Sequence, residues 1–225
     1  MKDKALLRIA IDGPGGAGKS TIAKKVAEIL NLDYVDTGAM YRAIGLKLNL
    51  FNIAPEETEK IESMLDKTDI DFSDGKVFLD GRNVDTEIRT AEISMLASLY
   101  SAVPQVRKKL VTIQRRMGEL KSLIMDGRDI GTNVLPDAEL KIFMTATAEE
   151  RAKRRFKELA GKGEKTKFQY VLDDIRKRDA QDMNRTVNPL KPAEDAVVLD
   201  TTYMSEEEVA EFIVKEARGG NFKTF

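Results

Sequence analysis

The sequence predicts an α/β fold, a parallel sheet flanked by helices and broken by two insertions, and three observations predict it. Short apolar runs of strand length recur along the 225 residues, most of them followed by stretches with helical spacing, the alternation that builds parallel sheets. The first run, Leu6 to Ile11, opens into a glycine-rich loop, Gly13-Pro14-Gly15-Gly16-Ala17-Gly18-Lys19-Ser20, and then into a helical pattern from Thr21 to Leu30. Two stretches break the alternation: three short alternating strands near 69–88, and two helical patterns joined at Gly161-Lys162-Gly163.

The loop fits G-x-x-x-x-G-K-[ST] at every fixed position, and a strand before it with a helix after it is the context that motif requires. Ile22, Val26, Ile29 and Leu30 form the apolar stripe expected of the helix. Glycines let the loop turn its backbone N–H groups inward, and the helix N-terminus adds partial positive charge, so the loop cradles phosphate. Gly13 to Ser20, with Thr21, are therefore the candidate triphosphate-binding residues. Lys19 reaches the outer phosphates, and the Ser20 hydroxyl is placed to ligate Mg²⁺ directly. The plain alternative is a flexible glycine turn. Four glycines, the Lys-Ser pair and the correct flanks together weigh against it, and the fold expected is a P-loop NTPase-type sheet that binds a nucleoside triphosphate.

Composition narrows the chemistry further. Lys and Arg number 37 and Asp and Glu 38, so the net charge of −1 gives no reason to expect a nucleic-acid polymer or a membrane surface as partner. Cys is absent, which excludes disulfides and thiolate zinc sites and fits a reducing cytoplasm. His is absent too, so no Ser–His–Asp triad and no imidazole base exist. Phosphoryl transfer loses little by this, because positioning and positive charge supply most of its catalysis. Met1-Lys2-Asp3-Lys4 leaves no room for a signal peptide before the first strand, and no apolar run spans a bilayer. A cytoplasmic monomer is the expectation.

Taken in order, Leu32 to Asp36 reads as a second strand and Ala39 to Leu50 as a helix. Ligands of parallel α/β sheets sit beyond the carboxyl ends of the strands, which makes Asp36, Thr37 and Arg42 candidate binding residues. The competing reading of Asp36-Thr37 is a helix cap. Pro55-Glu56-Glu57 is expected to start a helix with proline at its first position. Asp69–Phe72, Lys76–Leu79 and Val84–Ile88 follow as strands, with turns at Ser73-Asp74-Gly75 and Asp80-Gly81. Helices are expected from Thr90 to Leu99 and from Pro104 to about Met117. Ser122–Met125 is the third core strand, running into Asp126-Gly127-Arg128-Asp129. An apolar strand ending in Asp126 is the arrangement that brings a carboxylate to Mg²⁺ and its waters.

Leu140–Met144 is the fourth strand, and Thr147 with Glu150 makes a capping box for the helix that carries Arg151, Arg154 and Arg155. The next helix begins near Lys167, with Tyr170, Val171, Leu172 and Ile175 as its apolar residues. It holds Arg178, Asp182 and Arg185, whose spacing puts all three on one face. A solvated, salt-bridged face is the ordinary explanation of such a pattern, but two helices around a glycine turn with arginines near both ends also fit a lid over phosphates. Ala196–Asp200 supplies the fifth strand, Ser205 with Glu208 a second capping box, and the tail from Gly219 to Phe225 is expected to fray.

These blocks, in this order, resemble the nucleoside monophosphate kinases, and among them the bacterial cytidylate kinase family. The resemblance runs nearly end to end and rests on Ile11-Asp12-Gly13-Pro14, Val35-Asp36-Thr37-Gly38-Ala39-Met40-Tyr41-Arg42, Gly81 through Glu87-Ile88-Arg89-Thr90, Asp126-Gly127-Arg128-Asp129-Ile130-Gly131-Thr132, and Arg178-Asp179 through Asn184-Arg185. It implies a five-stranded core made of 1–38, 101–150 and 187–225, a monophosphate-binding insertion at about 39–100, and a helical lid at about 151–186. It also implies γ-phosphoryl transfer from ATP to CMP or dCMP with Mg²⁺. Carried onto matching positions, the cytosine contacts fall on Ser98, Arg107 and Asp129, the sugar contacts on Arg178 and Asp182, and the monophosphate contacts on Arg42, Arg128 and Arg185. The lid arginines fall among Arg151, Arg154 and Arg155. Thr37 keeps the hydroxyl that many relatives carry on Ser.

The base chemistry agrees. A carboxylate such as Asp129 accepts from the C4 amino group of cytosine, and Arg107 donates to its N3 and O2 acceptors, whereas uracil presents the opposite polarity. Three other readings compete. A shikimate-type small-molecule kinase would need neither the strand insertion nor the Arg/Asp helix. A UMP or AMP kinase would differ at the base-reading residues. A GTP-binding switch would need an Asn-Lys-x-Asp motif, which the sequence lacks.

Overall fold

The computed structural model describes residues 6–73, 75–161 and 163–219. Expectations for the leader at 1–4, for Asp74, for Lys162 and for the tail at 220–225 lie outside them. The chain divides into two compact units, Met1–Leu32 with Ser122–Phe225, and Asp33–Lys121. The strands β1 (Arg8–Asp12), β2 (Asp33–Asp36), β6 (Leu123–Gly127), β7 (Leu140–Thr145) and β8 (Val197–Asp200) make a five-stranded sheet in the order β2-β6-β1-β7-β8. β1 pairs in parallel with both β6 and β7, and β7 with β8. β6 is buried along its whole length, as is β1 after Arg8. Continuous burial of this kind belongs to a parallel sheet covered on both faces.

In the first unit, α1 (Lys19–Leu30) packs against β6 and against α8 (Glu206–Gly219). The Ser205 box that opens α8 is reciprocal: Ser205 N–H donates to Glu208 Oε2 at 2.8 Å, and Glu208 N–H to Ser205 Oγ at 3.2 Å. The helices α6 (Ala148–Gly161) and α7 (Phe168–Asn184) share an apolar cluster of Ala152, Leu159, Val171, Leu172 and Ile175. Phe156 and Phe168 meet edge to face beside it at 6.1 Å. No helix among the described residues is long and apolar enough to cross a membrane.

The second unit holds α2 (Thr37–Leu50), α3 (Thr58–Asp66), α4 (Ala91–Tyr100), α5 (Pro104–Leu120) and a three-stranded antiparallel sheet of β3 (Ile70–Ser73), β4 (Lys76–Leu79) and β5 (Arg82–Asn83). Asp80 (φ 51°) and Gly81 (φ 76°) both lie in the left-handed region, the pair of conformations that a two-residue hairpin turn requires. Lys47 then fixes that turn to α2 through Asp80 at 2.6 Å.

Six local expectations change. Pro55 sits in a turn, and the helix starts at Thr58, because the Glu57 carboxylate reaches back to the Ala54 N–H at 2.8 Å. Residues 84–88 are not a strand: Asn83 Oδ1 accepts from Asp85 N–H at 2.9 Å, and a 3₁₀ turn forms over Glu87–Arg89. Local side-chain bonds of this sort compete with strand pairing. Thr147 caps the Glu150 N–H at 3.2 Å, but its own N–H goes to Thr202 Oγ1 at 3.1 Å, so only half of the box forms. Tyr170 is exposed. Arg185 lies just past the end of α7 in extended backbone, off the face that Arg178 and Asp182 occupy. Ile29 belongs to no buried stripe, being 46% exposed where Ile22 is 2% exposed.

The Ile22 and Ile29 contrast gives a direct test. Ile22→Ala should cost about 2–5 kcal/mol of stability in urea denaturation, the usual range for a buried Ile. Ile29→Ala should stay within about 0.5 kcal/mol of wild type.

Candidate active site

The phosphate loop is shaped by backbone before any side chain acts. Gly13 has φ +148°, and a Cβ there would stand 2.0 Å from the Met144 carbonyl oxygen, so only glycine lets β1 turn this close to β7. Gly18, at φ 88°, is the N-cap of α1, contributes no side-chain cap, and is followed by a first turn without an acidic residue. The leading N–H groups of α1 thus remain to serve an anion, and the helix dipole favours one there.

The side chains around the loop converge within the same unit. Lys19 is buried and its Nζ donates to the Pro14 carbonyl at 2.9 Å, curled back along the loop. Burial, and next the positive charge of Arg128, push its pKa well below that of a free lysine. Ser20 Oγ donates to Asp126 Oδ2 at 2.9 Å, and Asp126 is itself buried. That contact brings the two expected magnesium-facing oxygens side by side from sequence positions 106 apart. A hard divalent cation takes one or two protein oxygens together with phosphate oxygens, and this pair fits that need.

The expected arginines are each held. Arg128 pairs with Asp182 at 2.8 Å, and its Nη2 lies 3.4 Å from where a Cβ on Gly15 would stand, so it flanks the loop. Arg185 pairs with Asp129 at 3.1 Å, and Asn133 Nδ2 donates to the other Asp129 oxygen at 3.1 Å. Arg151 is buried and pairs with Asp179 at 2.6 Å. Arg154 donates to the Thr201 carbonyl at 2.7 Å and to the Ala17 carbonyl at 3.4 Å. Arg155 and Arg178 are more exposed and pair with Glu158 and Asp174 respectively, about one turn away on their own helices.

In the second unit, Asp36 serves as the cap, accepting from Ala39 N–H at 2.8 Å, and its other oxygen holds Arg42 at 3.1 Å. Thr37 is buried beside it. Arg42 keeps a buried Nε with no hydrogen-bond partner, a donor whose desolvation an incoming acceptor would offset. Arg107 is buried, donates to the Ser101 carbonyl at 3.4 Å and lies over the Tyr41 ring at 5.9 Å. Ser98 is half-buried on α4, one turn before Ser101.

Two residues escaped sequence reasoning. Asp12 is buried at the end of β1 and accepts from Ile130 N–H at 2.8 Å and Gly131 N–H at 2.7 Å, which ties the loop after Asp129 to the first strand. Burial raises its pKa from 3.8 to about 6, against the lowering effect of those two N–H bonds. Asp179 is the other. Both lie inside the quoted sequence blocks, but a partner more than 100 residues distant left no local signal for Asp12.

The family described as cytidylate kinase matches residues 9–219. A cytidylate kinase of Caldicellulosiruptor bescii is 54% identical over 213 residues, covering 93% of this chain and 94% of that protein. One from Caldanaerobacter subterraneus is 51% identical over 212 residues, covering 94% and 95%. Among solved structures, an uncharacterised protein from Eubacterium ventriosum aligns with a TM-score of 0.54 at 13% identity, over 96% of this chain and 99% of that one, a likeness of fold alone.

The raised pKa of Asp12 fixes the sign of a pH effect. Its folded-state pKa of about 6 lies above the unfolded value of 3.8, so the folded state binds this proton more tightly. Stability linked to Asp12 is then present at low pH and is lost as pH rises toward 6. The stability advantage of wild type over Asp12→Asn should therefore be about 2 kcal/mol larger at pH 4.5 than at pH 7, measured by urea denaturation of both proteins at each pH.

Proposed function

The chain belongs to the cytidylate kinase family, and we propose that it transfers the γ-phosphoryl group of ATP to CMP and dCMP, giving ADP with CDP or dCDP. The observation that carries this reading is the phosphate loop itself, with Ser20 and Asp126 in contact at 2.9 Å and Arg128 flanking Gly15. Loop backbone from Gly13 to Ser20, with Thr21, binds the donor triphosphate. Lys19 leaves the Pro14 carbonyl for the outer phosphates, where its charge is realised as negative charge develops. Arg154 and Arg155 serve the donor side with Arg151. In this assignment the insertion at about 39–100 binds the monophosphate and the helices at about 151–186 act as the lid.

The acceptor is assigned residue by residue. Arg42, Arg128 and Arg185 bind the monophosphate, Asp36 and Thr37 belong to the same acceptor-binding set, and Asp36 also holds Arg42 at 3.1 Å. Arginine suits this task because its planar fork matches phosphate oxygens. Arg178 and Asp182 bind the sugar. Ser98, Arg107 and Asp129 read the base: Asp129 accepts from the C4 amino group and Arg107 donates to N3 and O2. Uracil would set a carbonyl against the carboxylate and an N–H against the guanidinium, a mismatch of roughly 1–3 kcal/mol per unpaired group. Taking CMP then requires Arg128 and Arg185 to exchange a carboxylate for a phosphate, which frees Asp182 and Asp129 for sugar and base.

Mg²⁺ fits Ser20 directly and Asp126 directly or through water, and when bound it supplies charge neutralisation between the donor phosphates. The residues' own part is positional: Ser20 and Asp126 fix where the cation sits, and Lys19 and the arginines hold the two polyanions against their mutual repulsion. The enzyme is read as a cytoplasmic monomer that uses free nucleotides.

A coupled ADP-release assay should show kcat/KM for CMP and dCMP at least tenfold above that for UMP or AMP. Equal use of AMP and CMP would overturn the base assignment. Lys19→Ala should lower kcat by about 10²-fold or more, the scale of losing one transition-state donor, with the fold intact by circular dichroism. Near-normal turnover would show that Lys19 does not act on the transferring group.

A further inference from the structure

Arg151 engages all three of its guanidinium nitrogens beside the phosphate loop. It is 5% exposed. Its Nε donates to the Ala146 carbonyl at 2.9 Å, its Nη1 to the Gly15 carbonyl at 3.0 Å and to Asp179 Oδ1 at 2.9 Å, and its Nη2 to Asp179 Oδ2 at 2.6 Å. The bidentate pair with Asp179 fixes the plane of the guanidinium, and the fixed plane aims Nη1 at the loop. Packing reinforces the direction, since a Cβ on Gly16 would stand 3.3 Å from the Arg151 Cβ.

The bond to Gly15 has a consequence across the peptide. In a trans peptide the C=O of one residue and the N–H of the next point in opposite directions. A guanidinium holding the Gly15 carbonyl therefore directs the Gly16 N–H the other way. Arg154 does the same one peptide pair further on, where its Nη1 reaches the Ala17 carbonyl at 3.4 Å and the Gly18 N–H is the group turned away. A phosphate nest works by having successive N–H groups turned to one side.

We propose that Asp179 is a positioning residue for donor binding: through Arg151 it orients the Gly15–Gly16 peptide of the phosphate loop and so couples α7 to the nest. Arg151 in this role acts on the loop, not on the phosphates. The inference rests on the ATP-binding part of the proposed function and deepens it.

The test is a double-mutant cycle read by calorimetric binding of ATP and, separately, of CMP. Asp179→Asn, Arg151→Met and the pair together should each weaken ATP binding by about tenfold, with no multiplication in the pair, because both residues act along one path. CMP affinity should stay within twofold in all three. If Asp179→Asn alone leaves Arg151 too poorly compensated to fold, R151M/D179L removes both charges at once, and its ATP affinity decides. Wild-type ATP affinity in that protein or in Asp179→Asn, equal weakening for ATP and CMP, or losses that multiply would each overturn the proposal. Failure of the kinase reading is visible apart from this, as wild-type protein that binds ATP and does not turn over CMP.

Discussion

Arginines gathered around one phosphate loop repel one another unless each has a partner, and the arrangement of the first unit follows from that constraint. Arg128, Arg185 and Arg151 are each held by a carboxylate, from Asp182, Asp129 and Asp179. For the two more deeply buried pairs, Arg185–Asp129 and Arg151–Asp179, removing one partner is far more destabilising than the pair is stabilising, because the remaining charge is left without compensation. The carboxylates are therefore part of the site in both of its conditions. Without ligand they keep the arginines ordered, and with ligand two of them become groups that read sugar and base in the proposed assignment.

The sheet supplies what the ion pairs cannot, a rigid base. β1 and β6 run in register with Ile11 beside Asp126 and Asp12 beside Gly127, so the phosphate loop and the Asp126 carboxylate leave the sheet at neighbouring points. Asp12 then binds two N–H groups of the next loop. An Asp buried at this position is costly on its own, which the rise of its pKa to about 6 reflects. The return is geometric: one side chain fixes the backbone that follows Arg128 and Asp129.

How much of this was legible in the sequence depends on how local each signal is. The five core strands, the glycine loop and the Ser205 box were readable because each is encoded within a few adjacent residues. Residues 84–88 misled because Val84 and Ile88 carry strand-forming side chains, while the decisive bond from Asp85 to Asn83 is a matter of turn chemistry. Pro55 misled for a similar reason, since Glu57 closes a turn ahead of the helix. The spacing of Arg178, Asp182 and Arg185 was correct as arithmetic and wrong as geometry, because the helix ends at Asn184. Asp12 and Asp179 were not singled out from the sequence, because their partners Ile130 and Arg151 lie 118 and 28 residues away along the chain.

The pairing of guanidinium groups with carboxylates also acts as a filter on valence. A singly charged anion such as chloride offers Arg128 or Arg185 no more charge than the carboxylate it already holds, and only one point of contact. A phosphate monoester offers about two charges and several oxygens that the fork can grip. In the proposed assignment, displacement of Asp182 and Asp129 therefore favours ligands that are multiply charged and polydentate over the simple electrolytes around the protein.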